Sequence, residues 1–194
     1  MRVQLRIVAG SLRGRKLLCT VSQDLRPTPQ MVREALFSIL GNAVPGRVFC
    51  DIFSGTGVNG LEALSRGASS AVFVERDFRL AGDIDQRLRT FRLSQKGRVL
   101  RADAYHWADT WQAPAEPVNL FLSPPFADFQ RNLEALLRVI GDLQKKVASD
   151  SVLVLQSETP FTADQLPDGP KWDVRKYGRN QLMIWVKESA VRGQ

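Results

Sequence analysis

From residue 48 to the end of the chain, short continuous apolar runs alternate with amphipathic helical stretches. This alternation restricts the fold more than any other feature. VFCDIF (48–53), AVFVE (71–75), RVLRAD (98–103), VNLFLS (118–123) and SVLVLQSE (151–158) read as strands. Helical patterns over 57–66, Phe78–Leu93 and Asp128–Val147 separate them, the last with Leu133, Leu136, Leu137 and Ile140 on one face. Strands that are apolar throughout are buried on both sides, which requires a parallel sheet covered by helices on both faces. VRKYGRNQLMIWVK (174–187) reads as two further strands around a turn at Gly178 and adds antiparallel pairing at one edge. The expectation is an α/β fold with a mostly parallel seven-stranded sheet and a C-terminal antiparallel hairpin.

The segment before residue 44 has a different character. RIVAGSLRGRKL (6–17) sets basic residues around Gly10 and Gly14, the pattern of a turn or short hairpin. LRPTPQMVREALFSIL (25–40) follows as a helix, with Thr28 placed to cap, Pro29 in the first turn, and Val32, Leu36, Ile39 and Leu40 at helical spacing. The net charge is +7, and residues 1–40 carry Arg2, Arg6, Arg13, Arg15, Lys16, Arg26 and Arg33 against only Asp24 and Glu34. A local positive field of this kind attracts a polyanion, because each neutralised phosphate releases condensed counterions. Arg13, Arg15, Lys16, Arg26 and Arg33 are therefore candidate nucleic-acid contacts, and residues 1–44 a basic element distinct from a sheet domain over 45–194.

Other classes are excluded early. No apolar run approaches the roughly 18–20 residues needed to span a bilayer, and MRVQLRIVAG lacks the continuous apolar stretch of a secretory signal. Two cysteines, Cys19 and Cys50, are too few for a disulfide scaffold, and the single histidine, His106, rules out a His pair or His-based metal site. No metal is expected, and the expected location is the cytoplasm.

DIFSGTGVNG (51–60) follows a buried strand and opens a helix, which is where a doubly wound fold binds its ligand. Gly55-x-Gly57-x-x-Gly60 lets the backbone turn sharply and approach a ligand closely. Glu75 ends the next strand at the distance of a ribose-binding carboxylate, although a strand-end carboxylate at the surface is the alternative. Asp51, Ser54, Gly55, Thr56 and Gly57 are the candidate cofactor contacts on this turn. A pyrophosphate prefers a helix N-terminus free of extra negative charge. Asp51 beside the turn thus favours a cationic ligand such as S-adenosylmethionine over NAD. Asp103 and Ala104, at the end of the third strand, face two readings: a hydrogen bond to an adenine amine, or a helix cap.

LFLSPPF (120–126) places two prolines directly after a buried strand, where each lacks an N–H and locks φ. Ser123 and the Pro124 carbonyl can present two acceptors in a rigid arc braced by Pro125, with Phe126 as an aromatic wall. An exocyclic base amine suits such a notch. Its lone pair is delocalised into the ring, and two acceptors on its N–H groups aim that lone pair at an electrophile.

Together RIVAGSLRGRKL, LRPTPQMVREALFSIL, DIFSGTGVNGLEALSRGA (51–68), VFVERD (72–77), SPPF (123–126) and KYGRNQLMIW (176–185) resemble the bacterial 16S rRNA guanine-N2 methyltransferases of the RsmD type over nearly the whole chain. The resemblance implies a Rossmann-like class I methyltransferase fold using S-adenosylmethionine. It also implies methylation of a guanine N2 amine in 16S rRNA, free or within a small-subunit assembly particle; a monomer is expected. By motif, it carries Asp51, Gly55 and Gly57 to the methionine part, Glu75 to the ribose, and Asp103 with Ala104 to the adenine. It sets residues 26–28 on the substrate side. The chain departs from the family at Ser123, where Asp or Asn is usual; serine accepts a hydrogen bond but does not ionise at neutral pH. Serine there is familiar from enzymes acting on cytosine N4. That makes a DNA amino-methyltransferase (cytosine N4 or adenine N6) one alternative; a non-catalytic rRNA-binding assembly factor that kept the fold is the other.

Overall fold

The computed structural model describes residues 1–21 and 27–189. An antiparallel hairpin comes first, β1 (Arg2–Arg6) with β2 (Lys16–Thr20), followed by α1 (Gln30–Leu40). The sheet domain then runs β3 (Val48–Ile52), α2 (Val58–Ser65), β4 (Ser70–Val74), α3 (Phe78–Thr90), β5 (Gly97–Leu100), α4 (Ala104–Thr110) and β6 (Val118–Leu122). It ends with α5 (Asp128–Arg131), α6 (Leu133–Lys146), β7 (Val152–Glu158), β8 (Asp173–Tyr177) and β9 (Asn180–Val186).

The seven-stranded sheet has the order β5-β4-β3-β6-β7-β9-β8, and only β9 runs against the others. The chain leaves β3 toward β4 and β5, then crosses back to lay β6 on the other side of β3. The crevice outside the carboxyl ends of β3 and β6 is therefore the switch point at which open α/β sheets bind ligands.

Side chains alternate between the two faces, as the pleat requires. Leu120 and Leu122 of β6 point into a core with Trp107, Leu136, Val139, Ile140 and Leu143 from α4 and α6. Phe121 points to the opposite face and joins Phe49 with Val32, Leu36, Phe37 and Leu40 of α1. A third cluster packs Ile7, Leu17 and Cys19 of the hairpin against Val58, Leu61, Phe73, Ile84 and Leu88. The hairpin and α1 thus share apolar cores with the sheet domain. No helix among the described residues is long and apolar enough to cross a membrane.

Two local expectations change. Thr28 does not cap α1; Pro29 occupies the N-cap position, and the Thr28 hydroxyl turns inward to a partner on β7. The helix expected over 128–147 breaks at Asn132, whose backbone lies at φ −138°, leaving α5 as a separate turn beside the SPPF segment. At 104–110 the helix allowed by the cap reading of Asp103 forms, with its side chain accepting the first free N–H groups of the turn.

Candidate active site

Phe53, Gly55 and Gly57 all adopt positive φ (63°, 53° and 70°), so the turn from β3 into α2 folds back tightly over the sheet edge. Its hydrogen bonds come from β3, from the end of β4 and from the turn itself. Ser54 N–H donates to the Val74 carbonyl at 3.0 Å and Gly57 N–H to the Ser54 carbonyl at 2.8 Å. Gly55 N–H donates to Glu75 Oε2 at 2.7 Å, and Gly60 N–H donates to Asp51 Oδ2 at 2.9 Å. Gly60 is required for a separate reason: a Cβ there would run into the Phe73 ring of β4.

A cavity of about 600 Å³ opens at this edge, within the range of about 300–1,000 Å³ typical of small-molecule sites. One wall carries Ser54, Gly55, Thr56 and Glu75, the far end Asp103 and Ala104, and the opposite wall Ser123, Pro124, Pro125 and Phe126. These elements come together because β4, β3 and β6 are adjacent and parallel, with Ile52 level with Val74 on one side and Leu122 on the other.

Asp51 and Gly57 are not among the residues lining the cavity. Asp51 is fully buried beneath the turn, and burial, with the negative Glu75 nearby, pushes its carboxyl up to about 7 despite the Gly60 N–H. Its Oδ1 has no hydrogen-bond partner. Gly57 supports the turn from behind, against Ile84. Glu75 Oε1 also accepts from Asp77 N–H at 2.8 Å, so this carboxylate organises the turn while facing the cavity. Asp103 caps α4 through Tyr105 N–H (2.9 Å) and His106 N–H (3.3 Å) and borders the cavity as well.

The SPPF wall is held at both ends. Ser123 N–H makes the last ladder bond, to the Ile52 carbonyl at 3.1 Å, and Asp128 N–H closes the turn on the Pro125 carbonyl at 2.9 Å. Among the described residues no hydrogen bond reaches the Pro124 carbonyl, which leaves it free as an acceptor.

Several cavity residues carry no local sequence signal. Asp128, the first residue of α5, accepts the Tyr105 hydroxyl at 2.6 Å, and burial together with this bond raises the Tyr105 pKa. The Thr28 hydroxyl donates to Gln156 Oε1 at 2.9 Å and accepts from Asn59 Nδ2 at 3.2 Å. Asn59, also in the cavity wall, keeps a buried Oδ1 without a partner. These contacts join residues up to 128 positions apart, so no spacing rule announces them.

The basic residues divide. Arg13, Arg15 and Lys16 are exposed on the hairpin. Arg26 lies outside the described residues. Arg33, expected at an RNA surface, is instead 1% exposed, and its guanidinium donates to the carbonyls of Arg6 (2.7 Å) and Thr28 (3.3 Å). Its Nε lies 3.7 Å from Glu62. Arg33 is a strut between α1, the hairpin and α2, because an arginine on the packed face of an amphipathic helix must find partners inside.

Glu62, which the sequence does not single out, completes this joint. It is fully buried and accepts from Val8 N–H at 2.8 Å, Ala9 N–H at 3.0 Å and Arg66 Nε at 2.9 Å. With Ser65, which accepts from Leu12 N–H at 2.9 Å, it clamps the basic turn to the helix that begins at the glycine turn. Among the described residues there is no cluster of metal-ligating side chains.

Comparison with known proteins agrees with this architecture. The profile of the family described as conserved hypothetical protein 95 matches residues 5–186. The YlbH protein of Bacillus subtilis (strain 168) is 34% identical over 190 residues, covering 94% of this chain and 99% of that one. The ribosomal RNA small subunit methyltransferase D of Escherichia coli (strain K12) is 34% identical over 155 residues, 80% of this chain and 75% of that protein. The solved structure of yhhF from Escherichia coli superposes with a TM-score of 0.77 at 29% identity, covering 97% of this chain and all of that one. The chain belongs to the conserved hypothetical protein 95 family, the RsmD-type methyltransferases.

Proposed function

We propose that this protein transfers a methyl group from S-adenosylmethionine to the exocyclic N2 amine of a guanine in 16S ribosomal RNA. The observation that carries the reading is a single cavity with the glycine turn and Glu75 on one wall and the Ser123–Phe126 arc on the other. The RNA small-subunit methyltransferase named above supports the substrate class. In this reading residues 1–44 form the RNA-binding element and 45–194 the methyltransferase domain, acting as a monomer on 16S rRNA or a small-subunit assembly particle.

The residues present fit the donor. Glu75 is placed to accept from ribose hydroxyls, and Asp103 and Ala104 border the space for an adenine. The carboxylates that do border the cavity, Glu75 and Asp103, suit a ligand carrying hydroxyl, amine and sulfonium groups better than one carrying a pyrophosphate. When bound, S-adenosylmethionine supplies a methyl group whose S–C bond breaks as the new N–C bond forms.

The chain's own work is positioning and electrostatics. Ser123 Oγ and the Pro124 carbonyl accept from the two N–H groups of the amine and hold its nitrogen lone pair out of the ring plane. Phe126 stacks on the base, which must leave its helix to enter. The proton shed by the methylated nitrogen passes to water, because Ser123 does not take it as a carboxylate would.

Calorimetry with S-adenosylmethionine and with NAD, followed by mass spectrometry of 16S rRNA treated with the protein, tests the reading. Binding of the first alone and one new N2-methylguanosine are expected. Ser123→Ala lowers the turnover about tenfold, the effect of one missing hydrogen bond to a reacting group, and Ser123→Asp keeps or raises it. Methyl on cytosine N4, or no methyl at all, overturns the assignment.

A further inference from the structure

The Ser123 hydroxyl has one proton and two lone pairs, and which of them meets the substrate amine matters. Turned inward, the proton would bond to the nitrogen lone pair and withdraw the electrons that must attack. Turned away, it leaves only lone pairs facing the amine N–H groups.

The structure gives that proton a destination. Ser123 Oγ donates to Gln156 Oε1, on the adjacent strand β7, at 3.4 Å. Gln156 is buried, and its amide is oriented from both ends. Its Oε1 also accepts the Thr28 hydroxyl at 2.9 Å, while its Nε2 donates to Asn180 Oδ1 at 3.2 Å. Thr28 in turn accepts from Asn59 Nδ2 at 3.2 Å, so its own proton is committed to Gln156. A reversed amide would present Nε2 to Ser123 and drive the hydroxyl proton toward the cavity.

We propose that Gln156 is a positioning residue for methyl transfer, taking the Ser123 hydroxyl proton so that Ser123 Oγ acts only as an acceptor toward the substrate amine. The inference rests on the methyltransferase reading above and names what sets the direction of the hydrogen bond at its reacting edge. A serine hydroxyl can donate or accept, so acting only as an acceptor requires a neighbour that receives its proton.

A double-mutant cycle tests it, with turnover, KM for 16S rRNA, S-adenosylmethionine affinity by calorimetry, and Tm measured for each variant. Gln156→Leu lowers kcat about tenfold, with KM and donor affinity within about twofold. Gln156→Met carries the same expectation if the leucine variant does not fold. Gln156→Glu, which when ionised can only accept from Ser123 but loses the donor to Asn180 Oδ1, keeps more of kcat than Gln156→Leu. In a Ser123→Ala or Ser123→Asp background, Gln156→Leu adds no further loss, because neither side chain has a hydroxyl to orient. An unchanged kcat in Gln156→Leu overturns the proposal. So does an equal loss of kcat with and without the Ser123 hydroxyl, since either shows that Gln156 does not act through it. If the unaltered protein binds S-adenosylmethionine yet forms no N2-methylguanosine, the functional reading fails first. If it methylates and the cycle shows no coupling, only the role of Gln156 fails.

Discussion

Truncating Glu62 to alanine tests the joint that holds the basic hairpin against α2 and the sheet. The carboxylate is fully buried, accepts from Val8 N–H, Ala9 N–H and Arg66 Nε, and sits 3.7 Å from the Nε of Arg33, itself 1% exposed. Removing it leaves a buried guanidinium with neutral carbonyl partners only, and two amide N–H groups of the turn without acceptors. Breaking one side of a buried ion pair costs about 3–5 kcal/mol. For a chain of this size each kcal/mol moves Tm by about 2–4 °C, so the expected fall is roughly 6–20 °C.

Glu62→Gln keeps the shape and one acceptor oxygen but turns an NH2 toward a donor, and costs about 1–3 kcal/mol. Arg33→Met costs less than Glu62→Ala, because Glu62 then keeps Arg66 and both amides. Differential scanning calorimetry gives the ranking, and limited trypsin digestion at Arg13, Arg15 and Lys16 reports release of the turn. A Glu62→Ala protein that melts within about 2 °C of the parent, with unchanged digestion, refutes the assignment of Glu62 as the clamp.

Three further expectations concern the site and the hairpin. Asp51 has its carboxyl raised to about 7 from 3.8, so the folded state binds its proton more tightly than the unfolded chain. Its contribution to stability is greatest in acid and is lost toward pH 7, by up to about 1.4 kcal/mol per pH unit. Asp51→Asn cannot ionise and lacks this slope; the parent's urea midpoint falls relative to the variant's from pH 5 to 7 and then levels, whereas a constant difference contradicts the burial argument. Gly60→Ala forces a methyl into the Phe73 ring and costs about 1–3 kcal/mol, with weaker S-adenosylmethionine binding by calorimetry; an unchanged Tm would show the packing there to be slack. Replacing Arg13, Arg15 and Lys16 by alanine lowers the slope of log K against log salt for RNA by about 0.7–0.9 for each phosphate no longer neutralised, while donor affinity holds; an unaltered slope removes the hairpin from the RNA surface.

The elements that could be read along the chain are those whose signal is local. The apolar strands, the glycine turn and the double proline each occupy a short window and form close to where the pattern places them, although the strand read at 98–103 ends at Leu100. The readings that changed involve competition from distant partners. Thr28 has the chemistry of a cap, yet its hydroxyl finds Gln156 across the fold, and Pro29 takes the cap position. Arg33 belongs to a basic run, yet it faces the packed side of α1 and is drawn inside by Glu62 and two carbonyls. Asp51 sits in the ligand-binding motif but beneath the turn, where it binds Gly60 N–H instead of lining the cavity.

Hydrophobic patterning and backbone restriction act between near neighbours, and they were enough to specify a parallel sheet, its Gly55–Gly60 turn and the Ser123–Phe126 notch at the strand ends. The direction of the hydrogen bonds within that notch, and the choice between a charge at the surface and a charge in the core, depend on groups brought from far along the chain. Only the packed sheet sets Gln156 beside Ser123 and Glu62 beside Arg33, because burial removes water as the competing partner and lets these distant contacts decide where each polar group turns.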